Sequence, residues 1–366
     1  MQVLPLLKDL DYEVSVFTLT HKGQLADRLE AAGIEVAEPP LSRVLRGLPR
    51  VLGRPILGVI AAMSLWWRLV RLRPSIVHFF LPEAYLVGSF CCLAAGGKHV
   101  RVMSRRSLNR YQKKYALLAR LERLLHGRMS AILGNSRAVV SELVEEGAPP
   151  ERVVLVYNGV DLSRFGQSGS REAARGRLEI PSDAFVLTVV ANLIPYKGHE
   201  NLLDALALVN GQLPGEWLML WVGSDSGIAT HLLSKARSLG LERHLRWLGR
   251  RHDVPDILRA SDVGILCSHE EGFSNSLLEY MAASLPAIVT DTGGNAEAVR
   301  DGHSGRVVPA GSPRALAEAI VELSRDAQLR ERMGQAARER VERYFSLAEC
   351  VTGYDRLYRR IADERG

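Results

Sequence analysis

Short apolar runs alternate with helix-like amphipathic stretches along nearly the whole chain. In the first part, runs typical of buried strands lie at residues 12–19, 34–36, 76–80, 100–103 and 131–134. Helical patterns separate most of these runs, and the clearest of them covers residues 111–125. Because strands that alternate with helices normally lie side by side in parallel, this pattern predicts a parallel α/β sheet.

A second cycle of the same kind follows. Its strand-like runs lie at residues 185–190, 218–222, 245–248, 263–266, 287–289 and 305–308. Helical patterns intervene at residues 198–210, 228–238, 274–284 and 313–324. A chain of 366 residues suits two domains of ordinary size. We therefore predict two doubly wound domains that meet near residues 153–161, where Asn158-Gly159 marks a turn.

The first cycle begins unusually. A doubly wound domain normally opens with a strand and a glycine-rich turn. Here the residues before Tyr12 resemble the end of the helix that would follow, and residues 12–19 resemble the second strand. We therefore expect that the first strand is missing and that its two neighbours lack a partner in the core. The expected cause is a misplaced start in a longer natural product.

Residues 55–73 form an apolar stretch with arginines on both sides. The uninterrupted apolar part is shorter than a bilayer span requires. The pattern therefore favours a helix that faces the core of the first domain. An interfacial helix anchored by Trp66 and Trp67 is the alternative.

The charge is distributed unevenly, although the whole chain carries only +6. Residues 41–140 contain 18 lysines and arginines but only two acids, Glu83 and Glu122, so the rest of the chain is acidic. A basic half indicates an anionic partner. Nucleic acid is disfavoured because no recognition motif accompanies the arginines. A negatively charged membrane leaflet or a phosphate-bearing acceptor fits better.

The four cysteines, Cys91, Cys92, Cys267 and Cys350, have no metal-type spacing and lie in apolar or helical contexts. Reduced thiols in a cytoplasmic protein are the simplest interpretation. Cys267 ends a predicted buried strand, which indicates packing rather than a nucleophile.

The most informative motif covers residues 270–281. Glu271 and Glu279 bracket a Gly-Phe turn that leads from a predicted strand into an apolar helix. The N–H groups at a helix start favour an anion, and nearby carboxylates accept hydrogen bonds from sugar hydroxyls. The motif therefore suits a sugar attached to a phosphate. Alternatively, Ser276 and Glu279 form an ordinary capping box.

The spacing of these two glutamates, followed by Met-Ala-Ala-Ser-Leu-Pro-Ala-Ile-Val-Thr, resembles the E-x7-E signature of retaining glycosyltransferase family 4. The resemblance implies the α/β GT-B fold, in which two Rossmann-like domains face each other across a cleft. Residues 1–160 would form the acceptor-side domain and residues 161–345 the nucleotide-sugar-binding domain. Residues 346–366 would form a helix that packs back on the first domain.

The resemblance also implies roles for the residues of the motif. Glu271 would contact hydroxyls of the donor sugar, and Glu279 would hold the nucleotide ribose. The remaining donor-binding residues implied here are Gly272, Phe273, Ser274 and Asn275. No side chain is assigned as nucleophile, since the leaving phosphate would activate the acceptor hydroxyl.

A second motif, residues 191–198, follows a predicted strand and precedes a helix. Lys197 is therefore expected at the carboxyl edge of the sheet, where ligands bind. The family has Gly-Arg-Leu-x-x-x-Lys-Gly here, which implies that Lys197 stabilises the departing diphosphate. Asn192 replaces the arginine of that pattern, and Arg105 and Arg106 of the first half are the expected substitutes.

Other residues complete the expected site. His78 ends a predicted strand, as a structural histidine or a ligand contact. Gly293 and Gly294 lie in a strand-to-helix turn that lines the donor pocket in the family. Arg251 would lie beside the nucleotide base. These placements of the two glycines and Arg251 follow from the resemblance.

The sequence has no histidine–carboxylate constellation or Asp-x-Asp typical of a metal site, so we expect no metal and no cofactor. The implied activity is metal-independent transfer of a sugar from a UDP- or GDP-linked donor to a glycan or polyprenyl-phosphate-linked acceptor. Cell-envelope or extracellular polysaccharide or glycolipid synthesis is the expected setting, in the cytoplasm or peripherally on the inner membrane face. The alternatives are a non-catalytic nucleotide-sugar-binding protein and a sugar-nucleotide epimerase.

Overall fold

The computed structural model describes residues 2–45, 50–97, 99–109, 112, 115–166 and 169–364. These residues form two compact units. Unit 1 comprises Met1–Asn135, Val139–Val156 and Cys350–Gly366. Unit 2 comprises Ser136–Ala138 and Tyr157–Glu349.

Unit 1 is a parallel α/β structure. Its strands are β1 (Ser15–Phe17), β2 (Glu35–Ala37), β3 (Ile76–Phe80), β4 (Val100–Arg105), β5 (Ala131–Gly134) and β6 (Val153–Leu155). They form two separate parallel sheets, one of β1 and β2 and one in the order β3-β4-β5-β6. The larger sheet packs its apolar side chains, Val102 and Leu133 among them, into a core with the C-terminal helix.

The helices of unit 1 lie around these sheets. They are α1 (Val3–Lys8), α2 (Ala26–Ala31), α3 (Ser42–Leu45), α4 (Arg50–Leu72), α5 (Pro82–Ala94), α6 (Ala116–His126) and α7 (Arg137–Glu145, which begins in residues of unit 2). The predicted helix at 111–125 is present from Ala116, whereas residues 110, 111, 113 and 114 lie outside the described part.

Helix α4 differs from its prediction. Its segment Gly53–Leu72 is long and apolar enough, by length and composition alone, to cross a membrane. Only 11% of the most apolar 18-residue part of this segment is buried. Ala61 and Leu69 do face the core of unit 1. The opposite face is exposed and carries apolar side chains. The prediction of a core-facing helix therefore holds for one side of α4 only, and the prediction that its apolar part is too short to span a bilayer is wrong by length and composition.

Unit 2 contains one six-stranded parallel sheet. Its strands are β7 (Phe185–Val190), β8 (Trp217–Val222), β9 (Leu245–Trp247), β10 (Val263–Leu266), β11 (Ala287–Thr290) and β12 (Gly305–Val308). Their order is β12-β11-β10-β7-β8-β9. The reversal of strand order beside β7 is the switch point at which ligands bind in such sheets. The loops after β7, β10 and β11 therefore start at neighbouring points of one edge.

The helices of unit 2 cover both faces of this sheet. They are α8 (Arg171–Arg177), α9 (His199–Val209), α10 (Ala229–Ser238), α11 (Val254–Ala260), α12 (Asn275–Ala282), α13 (Asn295–Ala298), α14 (Pro313–Arg325) and α15 (Ala327–Tyr344). Two apolar cores result, one around Trp217 and Trp221 and one around Leu277 and Tyr280. The parallel α/β arrangement predicted from the sequence is confirmed.

The final helix, α16 (Leu347–Asp363), contributes its residues from Cys350 onward to unit 1. Its buried face includes Tyr354, Leu357 and Ile361, which pack in the same core as Leu7 and Val100. Tyr354 and Tyr358 of this helix also contact His78, which lies in the middle of β3 and not at its end as predicted.

Candidate functional site

A lysine–glutamate ion pair lies at the carboxyl edge of the sheet in unit 2. Lys197 ends a short turn, Pro195–Lys197, that follows β7, and Glu271 lies in the loop after β10. Because β7 and β10 are neighbours, their loops meet, and Lys197 Nζ donates to Glu271 Oε1 at 2.5 Å. The side chains are 17% and 9% exposed, so a ligand at this edge would meet both charges only partly screened by water.

Ser268 orients the carboxylate of Glu271. Its hydroxyl donates to Glu271 Oε1 at 2.7 Å, and the side chain of Ser268 is fully buried. The backbone of Ser268 is fixed in turn, because Thr290 Oγ1 donates to its carbonyl oxygen at 2.6 Å. Sequence reasoning missed Ser268, although its place three residues before Glu271 in the same loop was a usable signal.

Two glycines allow the loops of this edge to approach each other closely. Gly198 has φ +72°, and a Cβ atom there would lie 2.0 Å from the carbonyl oxygen of Cys267. Gly293 has φ +55°, and a Cβ atom there would lie 2.0 Å from the carbonyl oxygen of Glu271. Both positions exclude a side chain on steric and conformational grounds. Gly293, expected to line a ligand pocket, thus has a packing role beside Glu271.

Gly294 also holds the loop after β10. Its N–H donates to the carbonyl oxygen of Gly272 at 2.8 Å, and a Cβ atom would contact the ring of Phe273. Phe273 is buried and packs with Tyr157 and Phe345 in an aromatic cluster with ring centroids 4.9–5.2 Å apart. The Gly-Phe turn between the two glutamates is therefore anchored on both sides.

Asn158 ties the same turn to the start of α12. Its side-chain amide donates to the carbonyl oxygen of Phe273 at 2.8 Å and to Asn275 Oδ1 at 3.0 Å. Asn158 is 5% exposed, so these bonds are shielded from water. The sequence marked Asn158 only as part of a turn, because its partners lie more than a hundred residues along the chain.

The capping-box interpretation of Ser276 and Glu279 is not what the structure contains. Helix α12 begins at Asn275, its N-cap residue is Ser274, and no side-chain cap hydrogen bond is made. Glu279 instead lies 3.7 Å from Arg164, with 20% of its side chain exposed. Burial raises the pKa of Glu279 and Arg164 opposes that shift. The first turn of α12 thus keeps N–H groups without a side-chain partner, beside Ser274.

Two further candidates of unit 2 have structural partners. Asn192 Oδ1 accepts a hydrogen bond from the N–H of Ser224 at 3.0 Å, which links the loops after β7 and β8. The guanidinium of Arg251 binds both carboxylate oxygens of Asp253, at 2.8 and 2.5 Å, and 38% of the Arg251 side chain stays exposed. Arg251 is thus placed in a surface loop with its charge already balanced.

Cys267 directly follows β10 and is a packing residue. It is buried, its thiol lies 3.3 Å from the carbonyl oxygen of Lys197, and burial raises its pKa to about 12. A thiol with such a pKa is protonated at neutral pH and is a poor nucleophile.

In unit 1, His78 is held between β4 and α16. Its ring nitrogens lie 2.6 Å from Tyr358 Oη and 2.7 Å from Ser104 Oγ, and its ring stacks on Phe80. Burial, with a contribution from Arg106, lowers the pKa of His78 to about 3. Of the two interpretations left open by the sequence, this environment supports the structural one.

Arg105 lies in a buried ionic cluster, which argues against its expected role as a diphosphate contact. Its guanidinium donates to Glu146 Oε1 at 2.5 Å and to Glu122 Oε2 at 3.0 Å. Both carboxylates also accept from Gln112. The side chain of Arg105 is 4% exposed, so its charge is already neutralised inside unit 1. Arg106 is exposed and lies 3.4 Å from Tyr354 Oη.

Among the residues that the structure describes, no group of three or more His, Cys, Asp or Glu side chains is arranged to hold a metal ion. The chemistry available at the edge of unit 2 includes that of Lys197, the carboxylates of Glu271 and Glu279 with Arg164 beside Glu279, hydroxyls and helix N–H groups. Such a set can bind a phosphate group and a polyhydroxyl compound side by side.

Two family models match the chain and together cover most of it. The model "Glycosyltransferase Family 4" matches residues 2–164, and the model "Glycosyl transferases group 1" matches residues 170–340. The first match lies almost entirely within unit 1 and the second within unit 2.

Curated relatives agree with these models. The chain is 30% identical to a D-inositol 3-phosphate glycosyltransferase of Streptomyces bingchenggensis, over 96% of this chain and 84% of that protein. It is 31% identical to the protein of the same name from Salinispora arenicola, over 62% of this chain. That second alignment spans about half of the relative's length, 54%.

Solved structures share the fold. The Anabaena protein HepE in complex with UDP superposes with a TM-score of 0.82 at 22% identity, over 97% of this chain and 95% of that one. A sucrose-phosphate synthase from Thermosynechococcus elongatus also gives 0.82, at 18% identity, over 99% and 92% of the two chains. At such identities the similarity concerns the fold alone.

Proposed function

The chain belongs to glycosyltransferase family 4 and has the GT-B fold, and we propose that it is a retaining hexosyltransferase that uses a UDP- or GDP-linked sugar. The acceptor in this proposal is a hydroxyl group of a glycan or of a polyprenyl-phosphate-linked saccharide. Residues 161–345 bind the donor, and residues 1–160 with the C-terminal segment 346–366 serve the acceptor. The setting is the synthesis of a cell-envelope or extracellular polysaccharide or glycolipid.

The observation that carries this proposal is the Lys197–Glu271 pair beside the uncapped start of α12. A nucleotide-diphosphate sugar presents hydroxyl groups next to a doubly charged diphosphate. A carboxylate accepts hydrogen bonds from the hydroxyls, and an ammonium group with helix N–H groups stabilises the diphosphate. The carboxylate for the sugar hydroxyls and the ammonium group for the diphosphate thus lie within one ion-pair distance of each other at this sheet edge.

Each residue has a defined part in the transfer. Glu271 fixes the donor sugar, Lys197 stabilises the negative charge that develops on the diphosphate, and Glu279 holds the ribose. The bond between the anomeric carbon and the diphosphate oxygen breaks, and a bond to the acceptor oxygen forms on the same face. The acceptor's proton passes to the leaving diphosphate, so no side chain acts as nucleophile.

The structure of HepE with UDP-glucose makes a UDP-linked sugar the first donor to try. For the acceptor, the basic character of residues 41–140 supports an anionic compound or an anionic membrane surface on the cytoplasmic side. The name of the Streptomyces relative supports a second candidate, a phosphorylated cyclitol. The polyprenyl-phosphate-linked saccharide and the phosphorylated cyclitol both carry a phosphate, so both fit the basic character of residues 41–140.

We further propose that the transfer needs no metal ion or cofactor, because a lysine and helix N–H groups can stabilise the leaving diphosphate. Activity that is unchanged in EDTA supports this part. Activity that is lost in EDTA and restored by magnesium contradicts it while leaving the transferase proposal intact.

A two-stage assay tests the function. A panel of UDP- and GDP-linked sugars is first screened by thermal shift, since a donor that binds only the folded protein raises its melting temperature. The donor that stabilises most is then incubated with polyprenyl-phosphate-linked saccharide or with inositol phosphate, and the product's anomeric configuration is read by NMR. Transfer with retention is the expected result. Donor binding without hydrolysis or transfer to any acceptor favours a non-catalytic binding protein, and interconversion of two sugar nucleotides favours an epimerase.

A further inference from the structure

Helix α4 exposes a continuous apolar face. Its outward side chains recur at the three- and four-residue spacing that places residues on one side of a helix. They are Ile56, Val59, Met63, Trp66, Trp67 and Val70, each between 39% and 65% exposed. We call this set the α4 face.

The other side of α4 is fixed to unit 1. Ala61 and Leu69 are at most 4% exposed, and the thiol of Cys91 in α5 lies 3.3 Å from the carbonyl oxygen of Ala62. Because this side belongs to a packed core, the helix cannot be surrounded by lipid without leaving unit 1. An exposed face of six large apolar side chains on a packed domain marks an interaction site.

The carboxyl-terminal border of the α4 face is basic. Arg71 and Arg73 are exposed there and have no ion-pair partner among the described residues. Arg71 also stacks over the ring of Trp67, with 5.0 Å between its guanidinium carbon and the ring centroid. Tryptophans next to unpaired arginines are the residues that favour the boundary between lipid headgroups and acyl chains.

We infer that α4 is a docking surface for an anionic lipid bilayer, lying parallel to the membrane plane with the α4 face inserted at the headgroup level. The arginines at its carboxyl-terminal border bind the anionic headgroups. This inference deepens the membrane part of the proposed function, because it names one surface and one partner.

Charge complementarity selects this occupant over a second copy of the chain. Two copies that met through their α4 faces would bring two sets of unpaired arginines together, at an electrostatic cost. An anionic bilayer neutralises the same arginines while it takes up the apolar side chains. Dimerisation is therefore an outcome that the test must detect.

The test is flotation of the full chain with vesicles of phosphatidylcholine alone or mixed with phosphatidylglycerol. We expect binding to the mixed vesicles that weakens with salt. The double variant Val59→Glu with Met63→Glu should bind at least about tenfold more weakly, because two inserted side chains become charged. Leu117→Glu with Leu124→Glu is the matched control, since those residues of α6 are 74% and 61% exposed and lie on another helix.

Tryptophan fluorescence reports the depth of insertion. Trp217 and Trp221 are buried, so in a Trp247→Phe background the exposed emission comes from Trp66 and Trp67. Mixed vesicles should shift this emission to the blue, and lipids brominated near the headgroup should quench it more than lipids brominated at the chain end. Stronger quenching at the chain end overturns the parallel orientation.

Other outcomes overturn the inference itself. Equal binding of the α4 variant and the α6 control, or binding that ignores lipid charge, excludes the α4 face as an anionic-membrane site. A wild-type dimer that the α4 variant alone converts to a monomer, without vesicle binding, assigns the face to self-association. Hydrolysis of the donor in solution keeps the membrane and transferase proposals separate. The α4 variant should still hydrolyse the donor. A wild-type protein that does not hydrolyse the donor contradicts only the transferase proposal.

Discussion

The carboxyl edges of the main sheets in units 1 and 2 carry similar side chains in opposite situations. In unit 1, Arg105 ends β4 and is enclosed by two carboxylates, and His78 in the middle of β3 is held by two hydroxyl groups. At the edge of unit 2, Lys197 pairs with one carboxylate among the described residues, that of Glu271, and remains partly exposed. The first arrangement stabilises a fold, whereas the second leaves charges that a ligand can engage.

A charged residue at the end of a parallel strand is thus not by itself a binding residue. The two edges differ in how many carboxylates pair with the basic side chain and in how far that side chain is exposed to water. A buried arginine between two glutamates is costly to disturb. Lys197 is less deeply buried, at 17% exposed, and a diphosphate that brings its own negative charge can take the place of its carboxylate partner at lower cost. Variants at the two edges test this difference.

Removal of Arg105 should damage stability and spare donor binding. Arg105→Ala removes the guanidinium that neutralises the buried carboxylates of Glu122 and Glu146, so the free energy of unfolding should fall by about 3–5 kcal/mol. Chemical denaturation measures this change, with the exposed neighbour variant Arg106→Ala as control. A stable Arg105→Ala protein with weakened donor binding would instead place Arg105 in the donor site.

Removal of Lys197 should do the reverse. Lys197→Ala is expected to lower kcat about a hundredfold or more, because charge on the leaving diphosphate loses its stabilising partner. Lys197→Arg keeps the charge and should lose less activity. Lys235→Ala is the matched control, since Lys235 pairs with Asp204 elsewhere in unit 2. Equal activity of Lys197→Ala and Lys235→Ala contradicts the assignment.

Asn158 should affect both properties moderately. Asn158→Ala removes two shielded hydrogen bonds to the turn at Phe273, so stability should fall by about 1–3 kcal/mol and kcat by about tenfold. Asn158→Asp keeps the size but removes the donating amide, and it should behave like alanine. Full activity of Asn158→Asp would show that the side-chain amide of Asn158 does not position the turn at Phe273. Asn210→Ala, on another loop, is the control.

The smallest effect concerns pH. Burial, with a contribution from Lys197, lowers the pKa of His199 to about 4, and its ring nitrogens have no hydrogen-bond partner in the described residues. A histidine that stays neutral in the folded protein but is protonated in the unfolded chain leaves the folded state at its full stability only above the pKa that the histidine has in the unfolded chain. That stability is lost as pH falls from about 6.5 towards 4, by at most about 1.4 kcal/mol per pH unit.

The two units should differ in how they tolerate replacement of such a histidine. His199→Phe should remove part of the acid-induced loss at little cost at pH 7, since the ring packs edge-on against Trp221. His78→Phe removes its part of the loss as well, but it gives up hydrogen bonds to Tyr358 and Ser104 and should destabilise at pH 7. Denaturation curves between pH 7 and pH 5 compare them, and an unchanged slope in His199→Phe contradicts the account of His199.

Much of the fold could be predicted from the sequence, because alternation of apolar runs with amphipathic stretches directly reflects the packing of helices on a parallel sheet. The strand bounds were less predictable: the run at residues 12–19 contains a strand of three residues, Ser15–Phe17. Local pattern indicates which residues can form a strand, whereas pairing decides how many do.

The geometry of the candidate site was predictable where it depends on strand ends and not where it depends on distant partners. Lys197 and Glu271 each follow a strand, so their loops could be identified. The bond between Asn158 and Phe273 spans 115 residues, and that between Arg105 and Glu146 spans 41, so neither left a local signal. The sequence left open whether α4 faces the core or an interface for a related reason: composition shows that a helix is apolar, but only packing shows which side is covered.

The central claim is that Glu271 holds the donor sugar at the edge of unit 2. The most direct measurement is the rate at which wild-type protein and Glu271→Gln release the nucleotide from the best-stabilising donor, with Glu270→Gln as the adjacent control. The account predicts a fall of about a hundredfold or more in Glu271→Gln, an unchanged melting temperature within a few degrees, and near wild-type rates in Glu270→Gln. Equal rates for wild-type protein and Glu271→Gln would contradict it.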